Sequence, residues 1–492
     1  MGQWHWQTSI TITILIVATL LPRVFHLDTF RAPDEDRWIA RTAGFTRSLA
    51  HGQFDQLLQS PTPGITTHWL GAITIRYEDW QTKKIPIAIG QAILIAISGY
   101  LAWLLWGRTT ATILTFLLAL NPHLIAHSRI YGTDALMPMF IVISFLSIFL
   151  WHKNKSTRYL ILSGLALSAA TLSKLPGIIF SAPILLALLN RRDYKLRVTS
   201  YELRNLLIFS LAFLAGSILI LPSLALAPMS IVGDFLEIFR SAEYTQAHTL
   251  GLWYYPRMLL LISTPLQLLS IALIPAAIYL YKSSTGKKPA ELKQIFFLII
   301  SATIFFAVMS YGSKKGHRYL LPVFTLADVI LAISISWLIT SFKKTGNKLA
   351  ISLIGIVVSL FLLQLFDIAK LYPHVMAYTN PITRPWFQGQ GYGWGEGLDL
   401  AAAYLNTKPN AKNLTAASIY PNEFGHYFIG KTKPAHQHEE DVDYVVIYRN
   451  MLSRGPEAWE TDVVNQYKDK QPEKIISFRH VPFVWIYNVK NP

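Results

Sequence analysis

Long apolar runs separated by short polar breaks fill the first 370 or so residues, and then the alternation stops. A helix that crosses hydrocarbon needs about 20 mostly apolar residues. Eleven stretches meet that pattern: 8–27, 86–106, 109–127, 134–151, 158–173, 175–190, 203–225, 256–281, 292–311, 318–340 and 348–371. The run 158–190 is divided because Lys174, Pro176 and Gly177 interrupt it, and one helix of that length would overshoot the bilayer. Residues 1–7 carry no lysine or arginine and no small-residue cleavage site follows, which predicts a retained first span, not a cleaved signal.

From about residue 380 the periodicities shorten. Helix-like segments at 397–405 and 456–467 alternate with strand-like segments at 414–419, 442–448, 474–478 and 483–489, the pattern of a small α/β domain. The expected organisation is a polytopic α-helical membrane domain over 1–379, including a long first loop at 28–85, and a soluble α/β domain over 380–492.

Composition sharpens this picture. The chain is 52% hydrophobic and 15% charged, with a mean hydropathy of +0.35, against about a quarter charged in soluble proteins. The net charge of +16 does not point to nucleic acid, because of where the charge lies. With the N-terminus cytoplasmic, five short inner loops hold 16 lysines and arginines (Arg108; Lys153, Lys155, Arg158; Arg191, Arg192, Lys195, Arg197, Arg204; Lys282, Lys287, Lys288, Lys293; Lys343, Lys344, Lys348). Only Asp193, Glu202 and Glu291 oppose them. Positive charge on the cytoplasmic side orients membrane helices. The predicted location is therefore the inner or plasma membrane, with the 28–85 loop and the C-terminal domain extracytoplasmic. No cysteine is present, which excludes a disulfide framework, thiolate metal site or thiol nucleophile.

Ionisable residues on the expected outer side are not topology signals and need another explanation. Asp34, Glu35, Asp36, Arg37 and Trp38 follow the first span. A carboxylate there can take the proton from an attacking hydroxyl, although acids after a proline also suit a helix N-terminus. Asp134 opens the next helix after Arg129, either as a cap or as a functional group at membrane depth. Lys174 sits in the break between two spans, and Tyr311–Tyr319 packs Lys314, Lys315, His317 and Arg318 into one turn. Cations where positive charge is disfavoured suit a lipid phosphate, which arginine can grip with two parallel hydrogen bonds; contact with anionic headgroups is the plainer reading. Glu396 lies in a glycine-rich turn at the junction of the two domains.

Together these strings resemble the protein O-mannosyltransferase and aminoarabinose transferase group, polyprenyl-phosphate-dependent glycosyltransferases of the GT-C membrane fold. The likeness rests on Asp34-Glu35, on Pro63-Gly64-Ile65-Thr66-Thr67-His68-Trp69-Leu70-Gly71 and on Ser173-Lys174-Leu175-Pro176-Gly177. It extends to Lys315-Gly316-His317-Arg318-Tyr319 and, at the junction, to Tyr378-Thr379-Asn380-Pro381 and Trp394-Gly395-Glu396-Gly397-Leu398. The resemblance implies Asp34 as catalytic base with Glu35 beside it and donor phosphate on Lys174, Lys315 and Arg318; Tyr319 is expected with these cations, and Asp36, Arg37, His68, Asp134 and Glu396 as substrate contacts or structural support. It implies a polyprenyl-phosphate sugar donor, membrane lipids as surroundings, and an acceptor that is lipid, glycan or protein. Some relatives use a divalent metal ion and others need none; the sequence has no histidine–carboxylate string that decides between them. The rival class is a secondary transporter or flippase, which would place charge at span centres and repeat its halves. Here the spans are nearly free of charge at their centres, with Asp328 and Asp367 the exceptions, and no repeat is visible.

Overall fold

Every predicted span contains helix in the computed structural model, which describes all residues except 1, 61, 190–198, 235, 237–250, 313–314, 388, 438–440, 454–457 and 491–492. Lys314, Arg191, Arg192, Lys195 and Arg197 thus lie outside the described residues. Among the described residues, seven helices are long and apolar enough to cross a membrane: Trp80–Trp106, Met137–Asn154, Ser200–Ile220, Pro265–Thr285, Leu292–Tyr311, His317–Thr345 and Lys348–Leu371. The other predicted spans are shorter or broken. They are Ser9–Val24, Thr157–Ser173, Leu175–Leu188, and Arg108–Ala119 with Pro122–Ser128, a pair bent by 56°.

Local chemistry explains the breaks. At the bend, the Asn121 side chain accepts from the amides of His123 and Leu124, at 3.0 and 3.2 Å, and Pro122 opens the new helix. This is N-capping that starts a second helix directly after the first. Asn121 also donates to Asp328 at 2.8 Å, and Gln267 donates to the other Asp328 oxygen at 3.0 Å. Asp328 therefore joins three helices through hydrogen bonds, the usual role of polar groups between membrane helices. The second break follows Ser173, where Lys174 is extended and Leu175–Phe180 forms a 3-10 turn.

Burial separates central helices from peripheral ones. In Met137–Asn154 and His317–Thr345, 78% and 72% of the apolar window is buried, against 17% in Lys348–Leu371. The first two form the core of the bundle, and the last turns most of its surface outward.

The C-terminal domain is a five-stranded sheet: β1 (Thr415–Ser418), β2 (Lys431–Pro434), β3 (Tyr444–Tyr448), β4 (Lys474–Phe478) and β5 (Val481–Asn488). The order is β2-β1-β3-β5-β4, parallel from β2 to β3 and antiparallel from β3 to β4. Helices Leu398–Asn406 and Trp459–Tyr467 pack against it through Leu398, Ala401, Leu405, Val463 and Tyr467. The domain is fastened to the bundle by Asp367, fully buried at the end of Lys348–Leu371. Asp367 meets Arg479 of the β4–β5 turn at 2.8 Å and Arg384 at 3.5 Å.

Candidate active site

Helix Glu35–Ala50 begins with Asp34 in the capping position, behind Pro33 and with two more acids in the first turn. Negative side chains are favoured at this end of a helix dipole. Successive residues in a helix point about 100° apart, so the three carboxylates diverge. Asp34 faces a cavity. Its Oδ1 lies 3.4 Å from Arg37, whose side chain is exposed, and its Oδ2 lies 3.6 Å from the Arg318 guanidinium. Glu35 turns inward and is fully buried, 3.0 Å from Lys84, while it accepts from the Tyr131 amide at 2.7 Å. Burial pushes its carboxyl up, against the opposing pull of Lys84 and the amide. Asp36 points at the C-terminal domain, ion-paired with Arg31 and 3.3 Å from His426.

The cavity measures about 270 Å³. Membrane-domain residues Asp34, Tyr254, Lys315, Arg318 and Tyr319 line one side, and Tyr392, Trp394, Tyr420 and Asn450 line the other. Arg318 is its centre. The guanidinium lies 4.0 Å over the Trp394 ring and 3.6 Å from both Asp34 and Asp134, yet its Nε makes no hydrogen bond among the described residues. Its planar fork is thus held in place with donors to spare. Asp134 is buried and also ion-paired with Lys174. Although burial works the other way, Lys174 and Arg318 hold the Asp134 carboxyl below the usual carboxylate range. Lys174 itself is buried behind Tyr319, 4.1 Å from the ring centroid, and is not part of the cavity wall.

Two more predicted site residues lie outside the cavity wall. His68 is fully buried, 2.9 Å from the Thr42 hydroxyl and stacked on Phe45. Burial pushes it down to about 3, which leaves it neutral. Glu396 is buried in a turn whose Gly393, Gly395 and Gly397 have φ of 110°, 100° and 86°. It accepts from the Trp394 amide at 2.6 Å and from the Tyr448 hydroxyl, which in turn accepts from the Gly395 amide at 2.8 Å. Burial pushes the Glu396 carboxyl up. Its role in this geometry is to fix the turn that carries Trp394 beneath Arg318.

Residues 67–227 match the family of dolichyl-phosphate-mannose-protein mannosyltransferases. ArnT from Cupriavidus metallidurans in the apo state superposes over 99% of this chain and 98% of its own, with a TM-score of 0.50 at 13% identity. The chain is a membrane glycosyltransferase. Its fold is of the GT-C type, as the resemblance implies. ArnT bound to undecaprenyl phosphate aligns over 98% of both chains with a TM-score of 0.47 at 13% identity. The archaeal oligosaccharyltransferase AglB from Archaeoglobus fulgidus gives 0.46 at 12%, over 90% of this chain and 69% of that one. No curated protein matches the transferase by sequence.

The transferase brings Asp34, Lys315, Arg318 and Tyr319 to one cavity and leaves Lys174 and Asp134 directly behind it. Among its described residues, no three His, Asp or Glu side chains converge where an ion would sit. Sequence reasoning missed Tyr254, Tyr392, Tyr420 and Asn450. They are separated from Asp34 by hundreds of residues, and none stands out from the polar and aromatic residues around it.

Proposed function

We propose that the transferase moves a sugar from a polyprenyl-phosphate donor to an acceptor hydroxyl at the extracytoplasmic face. The observation that carries this reading is the convergence of Asp34, Lys315 and Arg318 on one cavity, an acid and two cations within reach of a single sugar phosphate. The undecaprenyl phosphate bound to ArnT supports a lipid phosphate as the donor's anchor. The cavity is close to the lower end of small-molecule sites, roughly 300 Å³, which suits one sugar and its phosphate.

The steps follow from the charges. Donor phosphate occupies the spare donors of Arg318 with Lys315 alongside, and draws the guanidinium away from Asp34. The freed carboxylate takes the proton of the acceptor hydroxyl as that oxygen bonds to the anomeric carbon. The carbon–oxygen bond to phosphate breaks on the opposite face, with inversion, and the electron pair leaves on the carrier. The two cations stabilise the charge that develops there. Lys174 and Asp134 act behind Arg318 and Tyr319, as positioning residues.

The test offers purified protein a panel of polyprenyl-phosphate sugars together with envelope lipid and glycan acceptors, and follows sugar-free carrier by mass spectrometry. Release that depends on Asp34 is expected. A panel in which no donor yields carrier, while nucleotide sugars are consumed, overturns the reading.

A further inference from the structure

A sugar held in the cavity beside Asp34 and Arg318 would present ring hydroxyls to the opposite wall, which the C-terminal domain builds. Three consecutive residues at the end of β3 do most of the work. Tyr448 ties the glycine-rich turn through Gly395 and Glu396. Arg449 is fully buried between Tyr392 and Phe483, 4.8 and 5.6 Å from their ring centroids, and donates to the Pro482 carbonyl at 2.7 Å. Asn450 then emerges at the cavity. Its amide nitrogen donates to the Tyr420 hydroxyl, and Tyr420 packs on Tyr448 at 5.8 Å between ring centroids. The Asn450 carbonyl oxygen is buried and has no hydrogen-bond partner among the described residues.

A buried amide oxygen without a donor is costly and rare in a native protein. This one belongs to a side chain that lines a polar cavity, is oriented by a tyrosine, and stands on a strand end locked by its two predecessors. A hydroxyl of the bound sugar supplies the missing donor. We infer that Asn450, oriented by Tyr420, reads a ring hydroxyl of the transferred sugar, so that the C-terminal domain selects the donor. This rests on the polyprenyl-phosphate-sugar reading above. It assigns Asn450 a sugar-binding role and Tyr420 a positioning role.

The test uses the full-length transferase, a polyprenyl-phosphate sugar that the wild type turns over, and its monodeoxy analogues. In the wild type, one analogue loses roughly tenfold in kcat/KM, the size of one hydrogen bond to a buried partner. In Asn450→Ala the intact donor loses a similar factor and that analogue is no longer disfavoured, while sugar-free polyprenyl phosphate binds as in the wild type. Undiminished discrimination in Asn450→Ala overturns the inference, and so does a change confined to the KM of the acceptor. Should Asn450→Ala fail to fold, Tyr420→Phe carries the test, since it keeps the ring and removes the hydroxyl that orients the amide. Retained discrimination there overturns the inference equally. A wild type that releases carrier from no donor is a failure of the underlying reading, distinguishable because it precedes any comparison of variants.

Discussion

Asp34, Glu35 and Asp36 are adjacent in sequence and have three different surroundings. Asp34 lines the cavity, Glu35 is sealed against Lys84 and the Tyr131 amide, and Asp36 meets Arg31 and His426. Their substitutions therefore separate. Asp34→Asn is expected to lower kcat by about 10²–10⁴, the range for a positioned base, with carrier affinity kept; single-turnover assays and carrier titration check both. Glu35→Gln leaves the Lys84 charge buried without its anion, for an expected loss of about 3–5 kcal/mol of stability, read as a lower unfolding midpoint in detergent. Asp134 adds a pH signature. Its folded carboxyl sits below the ordinary value of 3.8, so its contribution is fully present above that value and is lost as pH falls through the folded one. The melting temperature should carry an acid-side decline below about pH 4 from this group, and Asp134→Asn should lose that part of the decline. Residue types were legible in the sequence. The direction of each side chain was not, because partners such as Lys84 and Arg318 are set by packing between distant helices.

At the scale of elements, helices were legible because each carries its own apolar run, and the breaks at Asn121-Pro122 and Lys174-Leu175-Pro176-Gly177 are written in local chemistry. The 109–127 run is bent where the expected span was continuous, although Asn121 and Pro122 mark the place. Strand β2, Lys431–Pro434, was also missed. Its four residues are Lys-Thr-Lys-Pro, with no apolar side chain beyond the proline, and it is a strand because β1 pairs with it. The glycine-rich turn gave a signal without a meaning, which the structure supplies: Gly393, Gly395 and Gly397 allow the backbone to curl around Glu396 and Tyr448 and hold Trp394 under Arg318. Gly393→Ala forces a side chain into φ of 110°, at an expected cost of about 1–3 kcal/mol. The same variant should lose transfer activity beyond what its melting temperature explains, because Trp394 moves from beneath the guanidinium.

At the scale of the whole molecule, the bundle and the C-terminal domain were legible as two compositions but not as two halves of one site. Their joint includes Asp367 with Arg384 and Arg479, which a sequence displays only as an odd aspartate in a span and two unremarkable arginines. One further consequence lies in the two cations of the cavity. Lys174 is neutralised by Asp134, so Lys315 and Arg318, set against Asp34, are the charges that a ligand meets. A donor phosphodiester brings one negative charge, whereas the phosphomonoester left after transfer carries about 1.5 to 2 at neutral pH. Spent carrier is therefore expected to bind more tightly than loaded carrier, by a margin that shrinks as pH falls through about 6. Competition titration of the two lipids across pH measures it. Equal affinities would mean that the enzyme feels no drag from its own exhausted lipid; a clear gap would make that lipid a brake on the loading of the next donor.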